Sequence, residues 1–153
     1  NGLRIKRRIN SASFFCLDIA INFNTEFIMP TARVSATPSA IGLIHKLTAE
    51  HGPILFFQSG GCCEGSVPLC MPVHEFKPSP SDVVVGEIEG AVFYMGHNHF
   101  QFSENTHTIV DALPGSSGSF SLDCGSGLAF ITRGRLYNDE ELKDLAPVHT
   151  YGY

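Results

Sequence analysis

The sequence predicts an α+β domain: a mainly antiparallel β-sheet with one helix before it and one short helix after it. Three observations carry this. Stretches of strand length recur from about residue 54 to residue 132, separated by glycine- and proline-bearing turns and not by amphipathic helices. The one long helical pattern stands ahead of them, over Pro38–His51. The last helix signal, Asn138-Asp139-Glu140-Glu141, stands behind them. Strands in a run with helices at the ends argue against a sheet of alternating parallel crossovers.

Each element has a local reason. Thr37-Pro38-Ser39 caps the first helix, with proline suited to its first turn. Ala40, Ile41, Ile44, Leu47 and Thr48 fall on one face at spacings of three and four. Gly52 and Pro53 end it. Ile54-Leu55-Phe56-Phe57 is an apolar run short enough for a buried strand. Asp82–Ile88 and Ala91–Met95 are strands joined by Glu89-Gly90, a hairpin. Thr106–Leu113 is a further strand, and Ser119–Asp123 with Leu128–Thr132 is expected to pair across Cys124-Gly125-Ser126-Gly127. Asn138 caps the final helix, with Glu141 in the capping-box position.

Composition bounds the function. A chain of 153 residues, 43% hydrophobic and 16% charged, can bury a core without staples. The net charge of −5 is uneven. Residues 1–28 carry +2, and the remainder carries six basic and thirteen acidic groups. An acidic body with no basic stripe argues against nucleic acid. Residues 1–28 read as a basic extension upstream of a natural start at Met29, with residues 29–153 as the single domain. Arg4–Arg8 and Phe14-Phe15-Cys16-Leu17 imitate a signal peptide, but Asp18 breaks the apolar run and no cleavage pattern follows. That run is also too short for a membrane helix. Five cysteines, an odd number, fit reduced thiols and a cytoplasmic location better than a disulfide framework.

Three of those cysteines lie within nine residues, in Gly60-Gly61-Cys62-Cys63-Glu64-Gly65-Ser66-Val67-Pro68-Leu69-Cys70. Glycine there permits a tight backbone path and close approach to a ligand, and successive N–H groups can form an anion-binding nest. Gly60, Gly61 and Gly65, with Arg133 to hold an anion, are the candidates for that site. Cys62, Cys63 and Cys70 are candidate thiolate ligands for iron, an iron–sulfur cluster or zinc. Their spacing is not the Cys-x2-Cys of zinc chelates, and three cysteines are one short of a four-thiolate shell. His97, His99, Cys124, solvent or a second copy of the chain in a homo-oligomer would complete the set.

The same loop resembles the signature of DUF779, a bacterial domain family of unknown function. His51-Gly52-Pro53, Gly86-Glu87-Ile88, Phe93-Tyr94-Met95, Pro114-Gly115, Phe120-Ser121-Leu122 and Thr132-Arg133 extend the likeness over roughly residues 38–141. Genes of that family often stand beside aldehyde dehydrogenase genes, so the resemblance implies an accessory role for an aldehyde or alcohol dehydrogenase. The order helix, strand, Gly-Gly-Cys loop, strands also resembles the HesB/IscA-type iron–sulfur carriers, whose terminal Cys-x-Cys pair this chain lacks.

Two other stretches bear chemistry. His97-Asn98-His99, followed by Glu104 and His107, approaches the first cupin motif when Gly90 is included, but its gaps differ and no second motif follows. A solvated loop is the expectation for it, and a cupin-like metal site is the alternative. Arg133 and Arg135 flank Gly134 after a strand and are expected to make surface salt links, with carboxylate binding as the sharper possibility. The remaining alternative is a small thiol enzyme acting on an aldehyde-derived adduct, with Cys62 or Cys63 as nucleophile. No Gly-x-Ser-x-Gly elbow, phosphate loop or dinucleotide fingerprint appears.

Overall fold

The computed structural model describes residues 30–60 and 67–152, and the fold is α+β. In chain order the elements are β1 (Val34–Ala36), α1 (Pro38–His51), β2 (Ile54–Gln58), β3 (Leu69–Pro72), β4 (Val83–Ile88), β5 (Ala91–Met95), α2 (His97–Ser103), β6 (Thr106–Pro114), β7 (Leu128–Leu136), a 3-10 turn (Glu141–Asp144) and β8 (His149–Thr150). They form two sheets, one ordered β1-β6-β7 and the other β3-β2-β5-β4-β8. Two pairings, β1 with β6 and β2 with β5, are parallel. The other four among the described residues are antiparallel.

The helix and the hairpin follow their local signals. Thr37 Oγ1 accepts from the Ala40 N–H, and Gly52, at φ 80°, closes α1 through its N–H to the Thr48 carbonyl. Ala40, Leu43, Ile44 and Leu47 are buried, while Ile41 and Thr48 lie half-buried at the margin of that face. Leu43 therefore belongs to the stripe that the spacing drew one residue too far round. Glu89 and Gly90 both take positive φ, 50° and 82°, as a type I′ turn between β4 and β5 requires.

The two sheets face each other across one core. Phe56 of β2 meets Phe130 of β7 edge-on, with centroids 4.9 Å apart, and stacks on Phe93 of β5 at 5.9 Å. Two residues further along both strands, Gln58 Nε2 donates to Thr132 Oγ1 at 2.9 Å. Inward positions recur every second residue, so this bond joins the sheets where the core turns polar.

The expected pairing of 119–123 with 128–132 does not form. β7 instead runs antiparallel to β6 over nine residues, from Thr106↔Leu136 to Pro114↔Leu128. Segment 119–123 turns back over β3. Cys70 donates its N–H to Ser121 Oγ at 2.9 Å, and its carbonyl accepts from the Leu122 N–H at 2.9 Å. Those are the backbone groups that β3 turns away from β2, so the turn saturates a sheet edge that would otherwise be open. The final helix is also shorter than its signal. Asn138 Oδ1 accepts from the Glu140 and Glu141 N–H groups and Glu141 accepts from the Asn138 N–H, yet only a 3-10 turn follows.

Candidate ligand site at the stem of the cysteine loop

β2 and β5 run parallel and end side by side, with Gln58 in register with Met95. The Gly96 N–H then donates to the Gln58 carbonyl at 2.9 Å, and the chain turns into α2. From β2 the chain continues through Ser59 and Gly60 toward the cysteine loop. Gly60 sits against α2: a β-carbon added there would stand 3.3 Å from His99 Cβ. The start of the cysteine loop is thereby seated on His99.

His97 and His99 open a helix, not a loop or a strand. Two residues apart on a helix, they are rotated by about 200° and do not share a face. His97 is exposed, and His99 is half-buried. Burial holds the His99 imidazole below its ordinary pKa, so at neutral pH it is uncharged and can accept a proton or bind a cation. His107 is taken up elsewhere: its Nδ1 donates to the Ala32 carbonyl and its Nε2 meets Ser35 Oγ at 2.7 Å.

Two cavities share His99. One of about 220 Å³ opens between the sheets and is lined by Gln58, Met95, His99, Ser103, Thr106, Thr108, Thr132, Arg133 and Gly134. The other, of about 360 Å³, is lined by Ser59, Gly60, Ser81, Gly96, His97, Asn98 and His99. The hydroxyl lining of the first was not singled out in the sequence, although Thr106-x-Thr108 puts two hydroxyls on one strand face and Gln58 ends an apolar strand.

The candidate ligands among the described residues sit in different surroundings. Cys70 is fully buried in the core, where desolvation and then the Asp123 charge push its thiol far up, so it stays protonated. Cys124 is exposed, beside a third cavity that also touches His51 and Lys46. Cys62, Cys63, Gly61 and Gly65 lie outside the described residues, as do residues 1–29. Among the described residues no three His, Cys, Asp or Glu side chains are placed to share a metal ion. Arg133 pairs with Asp111 at 2.8 Å, and Arg135 grips both carboxylate oxygens of Glu141. Both arginines thus make the surface links expected of them. The Thr37 hydroxyl, the Ala112 N–H and Arg133 together hold the Asp111 carboxyl below its usual range.

The model of a domain of unknown function, DUF779, matches residues 43–136. The chain belongs to the DUF779 family. No curated protein matches it. Among solved structures this DUF779 chain is similar to Escherichia coli SufA, described as involved in biosynthesis of iron–sulfur clusters. The two are 19% identical, with 73% of this chain and 94% of that one covered at a TM-score of 0.42. An overlap that loose does not place residues of one chain on the other. No described helix is long and apolar enough to cross a membrane.

Proposed function

We propose that this chain is a metal-binding accessory protein, serving an aldehyde or alcohol dehydrogenase, whose metal is held by Cys62 and Cys63 together with His99. The observation that carries this reading is the seating of Gly60 on His99. Cys62 follows Gly60 by two peptide units, a covalent reach of about 7 Å, so a loop thiol and the imidazole can meet. A neutral imidazole is the form a metal needs, and burial keeps His99 in it. Cys70 is left out of the set because its side chain is fully buried in the hydrophobic core. Two thiolates and an imidazole suit a single zinc or iron ion better than a cluster, whose shell usually takes four thiolates. Zinc there would supply a Lewis acid, and iron a one-electron carrier. The dehydrogenase client rests on the gene neighbourhood that the family resemblance implies.

The test is metal content after anaerobic purification of the full chain. Cys62→Ser and His99→Gln should each weaken binding roughly tenfold or more. Cys70→Ala should leave the stoichiometry unchanged in folded protein. Loss of metal from folded Cys70→Ala would overturn the ligand set.

A second reading is favoured by the 220 Å³ cavity beside His99. A loop thiol adds to an aldehyde carbonyl while the imidazole takes the thiol proton and returns it to the new alkoxide. Metal-free protein with one rapidly alkylated cysteine would select it.

A further inference from the structure

Along the inner face of β7 the side chains shrink toward the mouth of the core: Phe130, then Thr132, then Gly134. Gly134 stands in register with Thr108, and a β-carbon on it would come within 2.7 Å of Thr106 Cγ2. Its backbone needs no positive φ, so the glycine serves space and not conformation. The Thr106 methyl takes the space that side chain would need, and both residues line the cavity of about 220 Å³.

The wall chemistry is specific. Thr108 is more than nine-tenths buried, and neither its hydroxyl nor that of Thr106 has a hydrogen-bond partner among the described residues. A hydroxyl on a cavity wall without a protein partner is left to water, and a ligand hydroxyl can take that water's place. Ser103 and Met95 also line it, with the Ser103 hydroxyl near Met95 Sδ at 3.1 Å and the His99 carbonyl at 3.0 Å. Among the described residues, the one permanently charged group in the lining is Arg133, and its guanidinium is already answered by Asp111. The described lining therefore offers hydroxyl pairing beside apolar surface and no net charge.

We propose that this inter-sheet cavity is a binding site for a small, uncharged vicinal diol or triol. Its two adjacent hydroxyls pair with Thr106 and Thr108 while its carbon backbone lies on Met95. The site shares His99 with the metal set proposed above, but its hydroxyl pairing falls to Thr106 and Thr108.

The probe is 1,2-propanediol, titrated into chelator-treated full-length protein and followed by amide NMR. Saturable shifts should appear at Ser103, Thr106 and Thr108, in the millimolar range expected for a ligand of about five heavy atoms. 1-Propanol should bind roughly fivefold more weakly, having lost one hydrogen bond. Thr108→Val should weaken the diol by a similar factor while leaving 1-propanol unchanged, and Thr106→Val serves if that variant is unfolded. A Cys62→Ser, Cys63→Ser double variant should bind the diol as before, even if it has lost all metal. No saturable shift up to about 100 mM would overturn the proposal. So would equal binding of 1-propanol, tighter binding of propionate, or loss of the diol with the loop cysteines.

Discussion

Asp123 Oδ2 accepts the backbone N–H of Phe130 at 2.8 Å, and its other oxygen takes the hydroxyl of Ser121. Asp123 is fully buried, and Ser121 in turn receives the Cys70 N–H. One carboxylate thus ties the 119–123 turn to β7 on one side and, through serine, to β3 on the other. This bracket is what replaces the strand pair that the alternation of Ser119–Asp123 suggests.

Asp123→Ala should therefore destabilise the domain by about 2–4 kcal/mol, since two buried donors lose their acceptor. Asp123→Asn keeps one acceptor oxygen and should cost less. Urea unfolding of the two variants measures this, and a loss below about 1 kcal/mol for alanine would show that the turn closes without the bracket.

The β4–β5 hairpin gives a second expectation. Gly90 holds φ 82° with open space around its α-carbon, so a side chain there meets strain and not a clash. Gly90→Ala should cost about 1–2 kcal/mol, and Gly90→Asn about half of that because asparagine tolerates the left-handed region. Thermal melts of the pair decide it. Equal loss in both would mean that lost flexibility, not backbone conformation, sets the cost.

What was legible in the sequence was whatever local chemistry decides. The Thr37 cap, the Gly52 stop and the Glu89-Gly90 turn are short-range devices, and each stands where its residues put it. What depends on distant partners was not legible. β1, β3 and β8 are two to four residues long, and β3 ends on a proline, so none carries a periodicity to read. They are strands only because β6, β2 and β4 offer free edges to them. The site divides in the same way. Glycine flanks made the cysteine loop conspicuous, but that Cys70 is drawn into the core follows from its register with Phe56, a contact across the sheet. The Gly60–His99 contact and the threonine-lined cavity arise from β2, α2, β6 and β7 meeting, which no single window of sequence contains.

The two described cysteines should differ sharply toward alkylation. Cys124 is exposed, whereas Cys70 is fully buried with its thiol pushed up by burial and by Asp123. Mass spectrometry after brief iodoacetamide treatment should find Cys124 modified in native protein, and Cys70 modified only in denaturant. Equal labelling of the two would mean that β3 opens readily from the sheet.

The Arg135–Glu141 pair sets the last expectation. Two nitrogens of Arg135 bond both carboxylate oxygens at 2.8 Å, and the Asn138 N–H adds a third bond at 2.9 Å. The guanidinium, followed by that N–H, draws the Glu141 carboxyl down to about 2. A carboxylate whose folded pKa is depressed contributes stability above its unfolded value, near 4.3, and loses it as pH falls through the folded value. The window for Glu141 thus runs from roughly pH 4.5 down to about 2. Arg135→Gln should lower the melting temperature modestly and by a constant amount from neutral pH down to that window, because exposed pairs are screened by solvent. Within the window the gap to the parent should close, since protonated Glu141 no longer gains from the arginine. Melting curves every half unit from pH 7 to pH 2 read this directly. A gap that stays open at pH 2 would assign the role of Arg135 to the packing of its side chain and not to its charge.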